Sequence, residues 1–78
     1  MKTTAYFDAI RTRPDRANIT DAWIQRVFTI PVRAIAQQDG RMRLWILIPE
    51  MENRYLRVIL LEDGETVHNA FFDRRFKP

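Results

Sequence analysis

The chain has 78 residues, a net charge of +3, one histidine, and neither cysteine nor serine. This length allows one domain, residues 1–78, with one core and no separate cofactor-binding lobe. The composition excludes serine and cysteine nucleophiles, disulfides and the usual zinc sites built from cysteine and histidine. There is no signal-peptide run and no apolar stretch of membrane-spanning length, so we expect a soluble protein of the cytoplasm.

The first thirty residues have the apolar spacing of two short helices. Thr3 or Thr4 can cap the first helix, which ends before Pro14, and Thr20 can cap the second, which ends before Pro31. Each segment has apolar residues three or four positions apart, which predicts one buried stripe per helix. These stripes contain Tyr6, Phe7 and Ile10 in the first helix, and Trp23, Ile24, Val27, Phe28 and Ile30 in the second.

From residue 31 onward the apolar period changes to two, which is typical of strands. The runs form two predicted hairpins, one with an Asp-Gly pair at its turn and the other with Asp-Gly inside a four-residue loop. The paired runs are 31–38 with 41–48 and 55–61 with 66–72. Two helices followed by four strands predict an α+β domain in which the helices pack on one face of an antiparallel sheet.

Alternation along the strands separates a core face from an open face. The expected core-face residues are Met42, Leu44, Ile46, Ile48, Leu56, Val58 and Leu60. The expected open-face residues are Ala34, Ala36, Arg43, Trp45, Tyr55, Arg57 and His68, whereas Arg33 falls on the core side. If the second turn is a two-residue turn, Leu56 lies opposite Phe71, and His68 lies opposite Ile59 and diagonal to Arg57.

The open face combines arginines, two aromatic rings and the only imidazole. Eleven of the thirteen basic residues are arginine, whose planar fork suits phosphate. Such a face can bind phosphate, stack on bases and transfer protons. Exposed sheet faces also carry these residues for structural reasons alone, because their side chains favour strands and cover apolar surface, so both interpretations stay open.

Two segments carry a resemblance to a known family. Residues 16–20, Arg-Ala-Asn-Ile-Thr, precede the second helix, and residues 55–64 with 67–72 form a closing hairpin around Asp-Gly. In these segments and in its element order, the chain resembles the small RelE/BrnT-like toxins of bacterial toxin–antitoxin pairs. The resemblance implies a RelE-like fold, no cofactor, and metal-independent RNA cleavage in which the ribose 2′-hydroxyl attacks the adjacent phosphate. It also implies RNA, free or on the ribosome, and a cognate antitoxin as partners, and it carries over Arg57 as a site residue.

The leading hypothesis is a ribonuclease toxin that inhibits translation. Arg57 and Arg43 would stabilise charge on the phosphate, and His68 would act as general acid or base. The expected RNA-binding residues are Trp45, Tyr55, Arg41, Arg74 and Arg75. The alternative is a non-catalytic toxin-like module that binds a protein partner or nucleic acid through the same face. Phe71 and Phe72 point to opposite sides of the sheet, so one of them needs cover from the tail, a partner or a second copy, and a homodimer is one of these expectations.

Overall fold

The computed structural model describes all 78 residues. The elements are α1 (Ala5–Ile10), α2 (Asp21–Gln25), β1 (Arg33–Ala36), β2 (Met42–Ile48), β3 (Arg54–Leu60) and β4 (Val67–Phe72), with 3₁₀ turns at Arg26–Phe28 and Pro49–Met51. The strands form one antiparallel sheet in the order β1-β2-β3-β4. The chain is therefore a small α+β fold with two short helices, which is the fold class expected. Neither helix has the length and apolar character that would let it cross a membrane.

Both helices begin at threonines identified in the sequence. The Thr4 hydroxyl accepts from the Phe7 N–H at 3.1 Å, and the Thr20 hydroxyl accepts from the Trp23 N–H at 3.2 Å. The helix stripe predicted for the second segment was wrong at its end, because α2 gives way to a 3₁₀ turn. Phe28 and Ile30 are 45% and 65% exposed as a result.

The core lies between the helices and one face of the sheet. Helix side chains such as Phe7 and Ile24 join one buried cluster with strand side chains such as Ile46, Leu56 and Val58. Each of these five is at most 1% exposed, so each contributes about 1.5–3 kcal/mol to folding. Partly buried residues that pack against this cluster include Trp23, Met42, Met51 and Phe72.

The first hairpin has a three-residue loop rather than a two-residue turn. The Gln37 N–H donates to the Arg41 carbonyl at 2.7 Å, and Gly40 closes the loop with φ 90°. The additional loop residue shifts the pairing by one, so that Arg33 lies opposite Trp45 and Ala34 opposite Leu44. The sequence assignment of β1 was therefore wrong: Arg33 belongs to the open face, and the two alanines of β1 belong to the core face.

The second hairpin contains a bulge that the sequence did not predict. Leu60 lies opposite Val67 as expected, but the register then shifts and Leu56 lies opposite Phe72 instead of Phe71. The additional residue is His68. Val67 exchanges backbone hydrogen bonds of 2.9 and 3.0 Å with the N-terminal segment, residues 2–4, beside β4. The expected pairing of His68 with Ile59 is thus wrong, since Asn69 takes that position.

Candidate nucleic-acid interface

Four side chains of the open face form one row across the sheet. Arg33 on β1 lies opposite Trp45 on β2, Trp45 lies opposite Arg57 on β3, and Arg57 lies opposite Phe71 on β4. The Arg57 guanidinium carbon is 5.6 Å from the Trp45 ring centroid and 5.3 Å from the Phe71 ring centroid. These separations are within the range of favourable cation–π contacts, so the row is held together by alternating cations and rings.

Two residues from outside the sheet extend this row. Phe76, in the tail after β4, stacks on Trp45 with 4.8 Å between centroids and 16° between planes. The Arg33 guanidinium carbon lies 5.0 Å from the Phe76 centroid. At the other end, Arg16 from the connection between the helices lies 5.5 Å from the Phe71 centroid. The order across the face is Arg16, Phe71, Arg57, Trp45, Phe76, Arg33, in which cations and rings alternate except where Phe76 stacks on Trp45.

Asp73 is the carboxylate that belongs to this row. It accepts a hydrogen bond from the Trp45 indole N–H at 3.0 Å and lies 3.7 Å from an Arg57 guanidinium nitrogen. The indole donor and, to a smaller extent, backbone donors and the Arg57 charge lower the pKa of Asp73 below its usual value. The Asp73 N–H also donates to the Tyr55 carbonyl at 2.9 Å, which fixes the start of the tail.

A second row lies beside the first and contains one arginine, Arg43. Ile59 has Arg43 opposite it on β2 and Asn69 opposite it on β4. The Asn69 side-chain oxygen accepts from Arg16 at 2.8 Å. Neither Arg33 nor Arg43 has a carboxylate within 4 Å, and the buried Nε atoms of Arg16, Arg43 and Arg57 have no hydrogen-bond partner. Two arginines of one face without an acidic partner, Arg33 and Arg43, form a favourable environment for an anion.

The predicted site residues on the inner strands do lie together on this face. Arg43, Trp45, Tyr55 and Arg57 all project from it, as the alternation indicated. The expectation that the rings would be free to stack on bases needs revision, because Trp45 is only 5% exposed beneath Phe76. The Tyr55 ring also contacts Phe76, with 5.0 Å between centroids and 60° between planes.

His68 lies away from Arg57, in contact with α1 and its cap. Its Nδ1 atom is 3.1 Å from the Thr4 hydroxyl, and its ring stacks on Tyr6 with 4.9 Å between centroids. Burial and, to a smaller extent, the charge of Arg41 lower the pKa of His68 below 6.5. The imidazole is therefore held neutral near pH 7, with Nε2 as the nitrogen left for other partners.

The remaining predicted cations border the open face. Arg41 precedes β2 and lies 3.9 Å from Asp39 within the loop of the first hairpin. Arg74 and Arg75 are exposed in the tail, and the Arg75 N–H donates to the Asp73 carboxylate at 3.0 Å. Arg74 and Arg75 are exposed and Arg41 is partly exposed, so all three can contact a phosphate backbone that crosses the sheet.

Sequence reasoning missed five contributors to this surface. Arg33 and Phe71 were placed on the wrong side by the register errors, and no local pattern indicated that Arg16, Asp73 and Phe76 would reach the same face. The presence of three rings and two arginines within residues 71–77 of the sequence was the one available signal for the tail. Comparison of the chain with protein-family models, curated proteins and solved structures finds no match.

Proposed function

We propose that this protein binds RNA through the open face of its sheet. The observation that carries the proposal is that four arginines, Arg16, Arg33, Arg43 and Arg57, converge on that face. The single carboxylate among them is that of Asp73, directly after β4. Phosphate contacts supply most of the affinity of sequence-independent RNA binding, and arginine forks suit phosphate oxygens. Arg43 is the first candidate for a phosphate contact, because it projects from the open face and has no acidic partner.

Binding is tested by fluorescence anisotropy with a labelled single-stranded RNA of ten uridines, over a range of salt concentrations. Arg43→Ala should weaken binding about fivefold and reduce the slope of log affinity against log salt by about 0.7, as expected for one lost phosphate contact. Arg13→Ala is the matched control, since Arg13 is an exposed arginine in the connection between the helices. Equal effects of both substitutions, or no RNA binding at low salt, would contradict the proposal.

Cleavage of the bound RNA is the second candidate function, as in the RelE/BrnT-like toxins that the chain resembles. What favours it is the neutral imidazole of His68, oriented by Thr4 and lying within electrostatic reach of Arg41. In this reaction the 2′-oxygen loses its proton to a base and bonds to phosphorus. The bond to the 5′-oxygen breaks, and that oxygen takes up a proton, which leaves a 2′,3′-cyclic phosphate. Arginine charge would stabilise the additional negative charge on phosphorus.

The cleavage assay uses RNA labelled at its 5′ end, with the wild-type chain, His68→Asn and Arg43→Ala. A toxin should produce fragments that end in a cyclic phosphate, and His68→Asn should cut at least tenfold more slowly with unchanged RNA affinity. Induced expression in a bacterial host should then arrest growth with the wild-type chain alone. Bound but intact RNA would instead favour the non-catalytic binding module.

The proposal includes the partners and setting that the resemblance implies. These are a RelE-like fold, a cognate antitoxin protein, RNA that is free or on the ribosome, and a location in the cytoplasm. The product of the neighbouring reading frame is the antitoxin to test, by co-expression and purification of a complex. Because the antitoxin and RNA would compete for the open face, the antitoxin should release labelled RNA from the wild-type chain. A second copy of this chain, detected as a dimer by light scattering, would be the competing occupant of that face.

A further inference from the structure

Phe76 is enclosed on the open face by side chains that suit a nucleobase. Its ring stacks on Trp45, tilts against Tyr55, and has the Arg33 guanidinium over it, all within 5.0 Å of its centroid. We call this enclosure the Phe76 site. A flat ring stacked on an aromatic residue and covered by a guanidinium is also the arrangement in which proteins hold the unstacked bases of single-stranded RNA.

Phe76 also divides a groove into two parts. One depression, of about 300 Å³, lies toward Arg54 and Arg74, and a second, of about 450 Å³, lies toward Arg57 and Arg75. Phe76 and Asp73 line both depressions. If the Phe76 ring left its position, the two depressions would meet over Trp45 and Tyr55, with basic residues at each end for the phosphates on either side of a base.

The tail has few contacts that hold Phe76 in place. Asp73 is fixed by the Tyr55 carbonyl and the Trp45 indole, so it stays with the sheet. Beyond Asp73, the one hydrogen bond from the tail to the sheet joins an Arg33 guanidinium nitrogen to the Lys77 carbonyl, at 3.4 Å. A hydrogen bond of this length is weak, so movement of residues 74–78 costs little beyond the packing of the Phe76 ring and the bonds that the Asp73 carboxylate accepts from the tail backbone, such as that from the Arg75 N–H at 3.0 Å.

We propose that the Phe76 site is a nucleobase site, and that a base of single-stranded RNA displaces the Phe76 ring when RNA binds. The inference rests on the proposed RNA-binding function and adds to it a position for one base. In the free protein Phe76 covers Trp45 and competes with RNA. The competition predicts that removal of the ring strengthens RNA binding, whereas removal of a true contact residue weakens it.

The test compares Phe76→Ala with Phe28→Ala, a matched control at a 45% exposed phenylalanine on the 3₁₀ turn after α2. Affinity is measured by anisotropy with labelled ten-uridine RNA, and by competition with inorganic polyphosphate, which has phosphates but no bases. Phe76→Ala should bind RNA at least threefold more tightly than wild type and bind polyphosphate with unchanged affinity. Phe28→Ala should match wild type for both probes.

Quenching of Trp45 fluorescence gives a second readout, measured in a Trp23→Phe background so that Trp45 is the one emitting indole. RNA should quench Trp45 more strongly in Phe76→Ala than in the parent chain, because a base then stacks on the indole. If Phe76→Ala does not fold, Phe76→Leu keeps apolar cover without a ring and should still bind RNA more tightly. Polyphosphate should leave the Trp45 signal unchanged in every variant.

The outcomes separate this inference from the function on which it rests. Unchanged or weaker RNA binding by the Phe76 variants, with RNA bound by wild type, would overturn the nucleobase site and leave the RNA-binding function standing. A gain for RNA and polyphosphate alike would also overturn it, because the tail would then be blocking phosphates rather than a base. Failure of wild type and variants alike to bind RNA at low salt would overturn both.

Discussion

The guanidinium of Arg57 lies between the rings of Trp45 and Phe71, its direct neighbours on the two adjacent strands. The same guanidinium lies 3.7 Å from the Asp73 carboxylate. One arginine thus joins three strands and the start of the tail. Its contacts with its neighbours make it part of the packing of the open face, and its Nε is buried there without a hydrogen-bond partner. Arg43 is therefore the better candidate for an arginine whose role is to contact RNA rather than to pack the open face.

The role of Arg57 in packing predicts a measurable loss of stability. Arg57→Leu removes two cation–π contacts and leaves Asp73 without its cation, so the free energy of unfolding should fall by about 1–3 kcal/mol. Arg57→Lys keeps the charge but loses the planar fork, so its free energy of unfolding should lie between those of Arg57→Leu and wild type. Urea unfolding measures both variants, with Arg13→Leu as the exposed control expected within about 0.5 kcal/mol of wild type. Full stability in Arg57→Leu would mean that the row contributes nothing to folding.

Arg16 and Asn69 should be coupled, although 53 residues separate them in the sequence. Their hydrogen bond of 2.8 Å holds the connection between the helices against β4, and Arg16 also covers Phe71. A double-mutant cycle with Arg16→Ala and Asn69→Ala should give a coupling energy of about 1 kcal/mol. The pair of Arg16 with Asp15 is the control, because the 3.8 Å separation and the 72% exposure of Asp15 predict a coupling near zero. Equal coupling in the two cycles would contradict the assigned contact.

The local parts of the fold could be predicted from the sequence because their causes are local. Thr4 and Thr20 cap helices with hydroxyls that reach N–H groups three residues ahead. Gly40 and Gly64 adopt positive φ in the two turns, where an L side chain would be strained. Alternation then placed Arg43 and Arg57 on the same face, since β2 and β3 are regular along their whole length.

The details that change the site have causes that are remote in sequence. An Asp-Gly pair fits loops of two or three residues, and only the pairing of β1 with β2 decides between them. The bulge at His68 depends on residues 2–4, which bond to Val67 from the far side of β4. No spacing within the hairpin indicates that contact. Together these two shifts bring Arg33 and Phe71 to the open face and move His68 away from Arg57.

His68 gives a direct test of its environment, because it is the only histidine and has a single imidazole signal in an NMR titration. Its pKa should be below 6.5, since burial and the Arg41 charge both disfavour the imidazolium. The unfolded chain then binds the proton more readily than the folded chain. His68 therefore contributes its full stability above about pH 6.5, and this contribution is lost as the pH falls through the folded pKa.

The control for this titration is His68→Gln, which should lack the loss of melting temperature that wild type has below about pH 6.5. Arg41→Gln should raise the pKa of His68 only in part, because burial is the larger cause. A pKa above 6.5 in the wild-type chain would contradict the half-buried, neutral imidazole.

Thr4 and Thr20 make the same capping bond, but only Thr4 also contacts His68. Comparison of substitutions at the two threonines therefore measures how much the contact with His68 contributes to stability. Thr20→Val should lower the free energy of unfolding by about 1 kcal/mol through loss of the cap. Thr4→Val loses the cap and the histidine contact together, so it should cost about 0.5–1.5 kcal/mol more. The Thr4 hydroxyl already accepts from the Phe7 N–H and can donate to Nδ1, which favours the imidazole tautomer with its proton on Nε2. Nitrogen-15 shifts should report this tautomer in wild type and a mixture in Thr4→Val, whereas equal losses of stability and unchanged shifts would mean that the contact does not orient the ring.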